Sequence, residues 1–349
     1  MKVGIYTPYL ETMGGGERHV LALATYLVDK GYHVDIFCDD ASLKGKLASR
    51  LGLKLGKLNF VSNVFQSSFL NRFLTLKRYD IVFFLSDGSI PFLFGKKNWI
   101  CFLVPFTKVN GRKISNKIKL MFINKVIANS KFTKRFIDRE FGVKSEVLYP
   151  AVAVEDFKSD KKENIIISVG RFTKAIHNKK QEVLVDVFKK LCQQGLKNWK
   201  LLLVGGSEEN NGFVNELKEA SKGYPIEVIT NAKYNELKQY YAQAKIFWLA
   251  TGFGSNENQN PEKTEHFGIV TVEAMSAGAV PVVINKGGQP EIVNPGENGF
   301  LWETEKDLAE KTLKIIDDKE LWKKLSVQAR EDSRLFNYKA FSKRVDELL

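Results

Sequence analysis

The sequence is poor in cysteine and histidine and has no long uninterrupted hydrophobic run. Its three cysteines, Cys38, Cys101 and Cys192, are scattered, and no two stand in a CxxC spacing. That pattern supports neither a disulfide framework nor a thiolate zinc site, and reads as buried thiols in a reducing compartment. The longest apolar stretches, such as IVFFLSDGSIPFLFG, are broken by Asp87 and are too short to span a bilayer. The amino terminus, MKVGIYTPYL, reads as a strand and not as a signal peptide. The expectation is a cytoplasmic protein. No low-complexity tract occurs, and no zinc finger or aromatic RNP box, so nucleic acid is not an expected partner.

What is present is basic charge. The net charge is +13, and between Lys96 and Lys144 thirteen Lys and Arg stand against two acids, Asp138 and Glu140. Such a surface attracts phosphates, whether of anionic lipid or of a phosphorylated substrate, or it is simply a solvated lysine-rich face. The first alternative makes region 96–144 a site for an anionic membrane surface, with the protein peripheral on it.

With 349 residues the chain has room for two ordinary domains. Periodicity alternates strand and helix throughout. A strand at 3–7 leads into Gly14, Gly15 and Gly16, a helix over 17–30 stopped by Gly31, and a strand at 33–38. Strands at 81–85, 99–104 and 126–129 and a helix over 131–141 follow. The segment LYPAVAVEDFKSDKKEN, with its proline and run of charge, reads as a linker. A second series then begins. It has strands at 165–169, 201–204, 226–229, 246–249 and 280–284, helices over 180–194, 236–244 and 268–277, and a helical tail to Leu349. The division is a domain over 1–152 and a second over 163–334, with a terminal helix over about 335–349 that packs back on the first. Such alternation implies parallel sheets with helices on both faces, and ligands outside the carboxyl ends of the strands.

Three places could carry chemistry. The turn TMGGGERH either lets a phosphate approach the backbone at a helix start or is a tight strand-to-helix turn; its spacing is not GxGxxG. Arg171 and Lys179, in GRFTKAIHNKKQ, stand at the carboxyl edge of the second sheet, where a guanidinium fork and a compact ammonium suit a diphosphate. His177 beside them is a candidate base or a solvated loop residue. The stretch TEHFGIVTVEAMSAG sets Glu265 and Glu273 with seven residues between them in apolar surroundings. A helix starting near Gly268 would aim the amides of Gly268, Ile269 and Val270 at an anion. The carboxylates suit sugar hydroxyls instead. Ala274, Ser276, Ala277 and Gly278 let that helix lie close to the sheet.

At this point the sequence resembles glycosyltransferase family 4, a retaining family of GT-B fold, whose EX7E motif Glu265 and Glu273 match. GGGERHVLALATYLVDKGYHVDIF is similar to the family's amino-terminal turn and helix, and IANSKFTKRFI to its end-of-domain segment. VGRF…NKKQEVLVDVFKKL resembles its GR…K element and EAMSAGAVPVVINKGGQPEIVNPGENGFLW its carboxyl-terminal signature. The resemblance covers nearly the whole chain. It implies two facing Rossmann-like doubly wound domains with a cleft between them, and hexose transfer from a nucleotide-diphosphate sugar, GDP-mannose or a UDP-hexose, to a glycan or lipid-linked acceptor. By the same resemblance Glu265 would contact the transferred sugar, Glu273 the ribose, and Arg171 and Lys179 the diphosphate. Gly15 and Gly16 would approach the diphosphate, and Phe267, Gly268, Ile269 and Val270 would supply backbone contacts. Neither metal nor other cofactor is implied. The chain departs from the family in the longer Arg171–Lys179 spacing and in having no histidine in NWICFLVPFTK. A non-catalytic nucleotide-sugar-binding protein would share these motifs, whereas a nicotinamide oxidoreductase would call for GxGxxG and leave the paired glutamates without a role.

Overall fold

The computed structural model describes residues 1–12, 14–51, 55–174 and 178–349. They fall into two compact units, Met1–Ala151 with Phe341–Leu349, and Val152–Ala340. In the first unit the order is β1 (Lys2–Tyr6), α1 (Gly15–Asp29), β2 (His33–Phe37), α2 (Leu43–Leu51), β3 (Asn59–Val61), α3 (Phe69–Leu76), β4 (Ile81–Leu85), β5 (Lys97–Phe102), α4 (Ile114–Leu120), β6 (Lys125–Ala128), α5 (Lys131–Phe141) and β7 (Glu146–Val147). The second unit holds β8 (Glu163–Val169), α6 (Gln181–Gln193), β9 (Lys200–Gly205), α7 (Gly212–Ala220), β10 (Ile226–Thr230), α8 (Tyr234–Gln243), β11 (Ala244–Leu249), α9 (Ile269–Ser276), β12 (Val280–Ile284), β13 (Phe300–Trp302), α10 (Glu305–Asp317) and α11 (Lys319–Ser333). The last helix, α12 (Tyr338–Leu348), places Phe341, Val345 and Leu348 in the core of the first unit.

All strand pairs are parallel, in a seven-stranded sheet β3-β2-β1-β4-β5-β6-β7 and a six-stranded sheet β10-β9-β8-β11-β12-β13. Strands such as IVFFL at β4 and VPVVI at β12 are buried along their whole length, as helices on both faces require. In each sheet the chain winds outward, then returns to the far side of its first strand. The order therefore reverses between β1 and β4, and again between β8 and β11. A crevice at the carboxyl ends of the strands opens where the order reverses.

One reading from the sequence is corrected and one is extended. Gly15 and Gly16 lie in the first turn of α1, not in a loop before it. Gly14 is its N-cap, and the Gly14 amide donates to Glu17 Oε2 at 2.6 Å. The bare face of Gly16 packs on Leu103, whose Cδ1 would stand 3.1 Å from a Cβ there. The segment expected to be a linker is anchored by burial of Leu148, Ala151, Val152, Val154 and Phe157. From it, Lys162 Nζ donates to the carbonyls of Ala244 at 2.8 Å and Ala277 at 2.6 Å, the C-cap residues of α8 and α9. Burial lowers the Lys162 pKa from 10.5 to about 7, and in its charged form the side chain complements the negative ends of both helices.

Inside the first unit, His19 of α1 is fully buried with its ring edge-on to Phe341, centroids 5.8 Å apart, and among the described residues neither ring nitrogen has a hydrogen-bond partner. Burial lowers its pKa from 6.5 to about 4. The unfolded chain therefore takes up a proton below pH 6.5 that the fold refuses until about pH 4. This group adds nothing above pH 6.5 and destabilises progressively as pH falls through that window, by about 3 kcal/mol in all. His19→Leu should flatten that part of the acid dependence in urea denaturation followed by circular dichroism between pH 7 and pH 4. Parallel wild-type and variant curves would refute the assignment.

Candidate active site

The reversal in the second sheet gathers the residues that the sequence singled out. β8 ends at Val169 and delivers Gly170 and Arg171; the connection to α6 carries Lys179. The connection from β11 to α9 carries Glu265. Lys179 Nζ meets Glu265 Oε2 at 2.6 Å, so the crevice is bridged by an ion pair whose side chains are each 17% exposed. Gly170 makes the route possible. A Cβ there would lie 2.7 Å from Lys179 Cγ, so the lysine stem crosses the glycine backbone to reach the carboxylate. Lys180, the next residue, turns to Glu182 at 3.7 Å. Arg171 is exposed at the same edge, and its carbonyl accepts from Gln181 Nε2 at 3.1 Å. His177 lies outside the described residues.

α9 is apolar nearly all round, and Thr271–Ser276 are all buried, as a helix enclosed by its neighbours demands. It packs on α11, where Ser326 Oγ donates to the Gly278 carbonyl at 2.7 Å. Its N-cap, Gly268, has φ 117°, and a Cβ there would come 2.2 Å from Gln289 Nε2. Thr271 N donates to the Gly268 carbonyl at 3.0 Å. The amides of Ile269 and Val270 have no protein acceptor among the described residues, which leaves two donors at the positive end of the helix.

Two residues missed by the sequence reading hold this end in place. Gln289 is fully buried; its Nε2 donates to the Phe267 carbonyl at 2.9 Å and its Oε1 accepts from Thr271 Oγ1 at 2.8 Å. The preceding glycines let the strand-end loop close over the glutamate: Gly288 N donates to the Glu265 carbonyl at 2.8 Å, and a Cβ on Gly287 would stand 2.1 Å from that same oxygen. Tyr241 of α8 is also fully buried and donates its hydroxyl to Glu273 Oε2 at 3.2 Å. Burial, and then the neighbouring carboxylate, push that hydroxyl well above its ordinary pKa, so it remains a donor. Glu273 is thus held inside the unit rather than solvated. The GGQ triplet was the available signal for Gln289; Tyr241 gave none, being one tyrosine in YYAQ.

The other end of the same sheet holds a cavity of about 340 Å³ lined by Lys162, Glu163, Asn164, Ile165, Asn198 and Lys200. It lies at the amino ends of β8 and β9, away from the reversal, where sheets of this kind do not place their chemistry. Among the described residues no cluster of three or more His, Cys, Asp or Glu side chains is placed to hold a metal ion.

Two doubly wound parallel sheets, with a cation, a carboxylate and a helix amino end at the crevice of the second, define a protein of the GT-B glycosyltransferase class. The chain belongs to the family described as glycosyl transferases group 1, whose model matches residues 153–332. A second model, glycosyltransferase family 4, matches residues 13–156. A GDP-Man:Man(3)GlcNAc(2)-PP-Dol alpha-1,2-mannosyltransferase of Dictyostelium discoideum is 28% identical over 243 residues, 63% of this chain and 46% of that protein. The chain spans about half the length of the curated relatives it matches. Among solved structures, a glycosyltransferase from Rickettsia africae superposes with TM-score 0.78 at 21% identity, over 99% of this chain and 97% of that one. Anabaena HepE in complex with UDP and glucose gives 0.73 at 17% identity, over 100% and 99%.

Proposed function

We propose that the protein transfers a hexose, with retention, from GDP-mannose or a UDP-hexose to a glycan or lipid-linked acceptor, without a metal. The observation that carries this is the Lys179–Glu265 pair at the strand-order reversal, beside the open amide end of α9. In this reading the donor diphosphate lies on those amides and draws the Lys179 ammonium from Glu265, with Arg171 as the second cation. The carboxylate of Glu265 then accepts from sugar hydroxyls, and Glu273, of the EX7E pair, from the ribose. Fixed positive groups stabilise the departing nucleoside diphosphate as charge builds on it. The acceptor hydroxyl attacks C1 on the face the diphosphate leaves, its proton passing to the leaving phosphate oxygen. One glycosidic bond forms as the C1–O–phosphate bond breaks. Gly15 and Gly16 of the first unit approach the diphosphate in this proposal. The mannosyltransferase relative supports the GDP-sugar arm, and the UDP and glucose of the Anabaena structure support the other.

A panel of UDP- and GDP-hexoses, read by released nucleotide with and without acceptor lipid, tests the reading. Glu273→Ala should weaken nucleoside-diphosphate binding about 10- to 100-fold, the loss of a charge-assisted hydrogen bond pair. Binding without turnover for any donor would leave a binding protein, and no thermal shift with any nucleoside diphosphate would end the proposal.

A further inference from the structure

Two short helices of the first unit carry apolar side chains that its core does not use. α4 buries none of its seven residues, and α3 buries only Leu76. A seven-residue helix with no buried face has little of its own to hold it. On α3, Phe69, Leu70, Phe73 and Leu74 form one stripe; on and after α4, Ile114, Ile118 and Met121 form another, and Phe122 follows. All are exposed, reaching 61% at Phe69, 65% at Leu70, 77% at Ile114 and 83% at Met121. Rings join the two stripes. Centroid distances are 5.1 Å for Phe73–Phe94, 5.4 Å for Phe94–Phe69, 6.2 Å for Phe69–Phe92 and 6.0 Å for Phe92–Phe122. The result is one continuous apolar face, of a kind that soluble surfaces rarely leave uncovered.

The charge around it has one sign. From residue 69 to 122 there are ten Lys and Arg (72, 77, 78, 96, 97, 108, 112, 113, 117, 119) and two acids, Asp80 and Asp87. Asp80 is paired with Lys96 at 2.8 Å, and Asp87 accepts from the Ser89 hydroxyl at 2.6 Å. Lys97, Arg72 and Arg112 are turned to backbone carbonyls of Leu349, Phe65 and Arg139. Further along, Lys125 and Lys134 pair with Glu146 and Asp138. The basic stretch 96–144 is therefore not one face. On and before α4 its exposed cations include Lys108, Lys113 and Lys117, with Lys119 half-buried beside them, and Lys77 and Arg78 join them beside α3; Lys131, Arg135, Arg139 and Lys144 are exposed on and after α5. Lys119 and Lys77 hold their ammonium groups 5.7 Å over Phe92 and Phe73, stems along the rings and charge at the rim.

We propose that this face docks on an anionic lipid bilayer, with α3 and α4 lying in the headgroup layer. Phe69, Leu70, Ile114 and Met121 enter the acyl boundary, and Lys77, Lys113, Lys117 and Lys119 meet lipid phosphates. No helix among the described residues is long and apolar enough to cross a membrane. A second copy of the chain fits worse, because a two-fold interface sets this lysine rim against itself. The inference is independent of sugar transfer, and its test uses no donor.

The test is flotation of the full chain with phosphatidylcholine vesicles, with and without phosphatidylglycerol. Binding is expected on the anionic vesicles alone and should weaken as salt rises. Lys113→Ala with Lys117→Ala should lower partitioning roughly thirtyfold. Leu70→Asn with Met121→Asn should lower it by at least as much; both pairs are exposed, and an unchanged circular dichroism melt confirms the fold. No flotation, equal flotation on both vesicle types, or indifference to both double variants overturns the proposal. A dimer in sedimentation that Leu70→Asn with Met121→Asn makes monomeric, without flotation, assigns the face to a second copy instead.

Discussion

Replacing Lys179 with methionine should lower donor-dependent turnover by about 10²- to 10³-fold, the usual effect of removing one group aimed at developing charge. An effect on folding is expected as well: both side chains are largely buried, so losing the ammonium leaves the Glu265 carboxylate without this cation, at about 1–3 kcal/mol. In the binding step the loss is large, because Glu265 would then face an incoming diphosphate with no cation between two like charges. Lys179→Arg should restore little: a planar fork on a bulkier side chain is not a point charge on the same path. That path is itself testable. Gly170→Ala keeps the lysine but puts a methyl group 2.7 Å from its Cγ, so the ammonium must leave Glu265 Oε2. A partial loss of about tenfold is expected from that misplacement. Steady-state rates from released nucleotide, beside urea midpoints, separate the two effects. Wild-type turnover in Lys179→Met would reduce the pair to a structural contact and remove the electrostatic core of the proposed mechanism.

How much of this could be seen in the sequence depended on whether the signal was local. β4, α5 and β12 fall where periodicity sets them, because fully buried parallel strands are continuous apolar runs and α5 is bounded by capping residues. Ser130 Oγ accepts from Thr133 N at 3.0 Å, and Gly142 closes the other end at φ 67°. α3 and α4 were not legible, since their apolar stripes face outward and answer to no core. The linker was legible as the join between the units, but its packing was not, because local charge outweighed five apolar side chains whose partners lie far along the chain. The helix-end geometry around residues 264–278 followed from spacing and glycine. Its supports did not: Gln289 lies 18 residues beyond Thr271, and Tyr241 lies 32 before Glu273, so neither contact leaves a trace in local pattern.

Gly268→Ala should damage both the stability of the second unit and its ligand binding. With φ at 117° an alanine pays the left-handed penalty of about 1–2 kcal/mol, and its Cβ would stand 2.2 Å from Gln289 Nε2. Gln289 cannot simply swing away. It is fully buried, and moving it breaks its hydrogen bonds to the Phe267 carbonyl and the Thr271 hydroxyl, each at about 1 kcal/mol or more. Partial relaxation leaves an expected total near 3 kcal/mol or somewhat more, seen as a lower urea midpoint. The same movement tilts the amides of Ile269 and Val270 from the crevice, so nucleoside-diphosphate affinity by calorimetry should fall about 100-fold. Because clash and hydrogen bonds share one side chain, the effects are coupled. Adding Gln289→Ala to Gly268→Ala removes the clash while its own hydrogen bonds are already lost, so the pair should cost less than the sum of the singles. Thr271→Val, which deletes the hydroxyl that donates to Gln289 Oε1 and leaves the backbone alone, should cost about 1–3 kcal/mol and bind nearly as wild type. If Gly268→Ala kept full affinity while Thr271→Val lost it, the hydroxyl and not the helix amide end would be the seat of the phosphate.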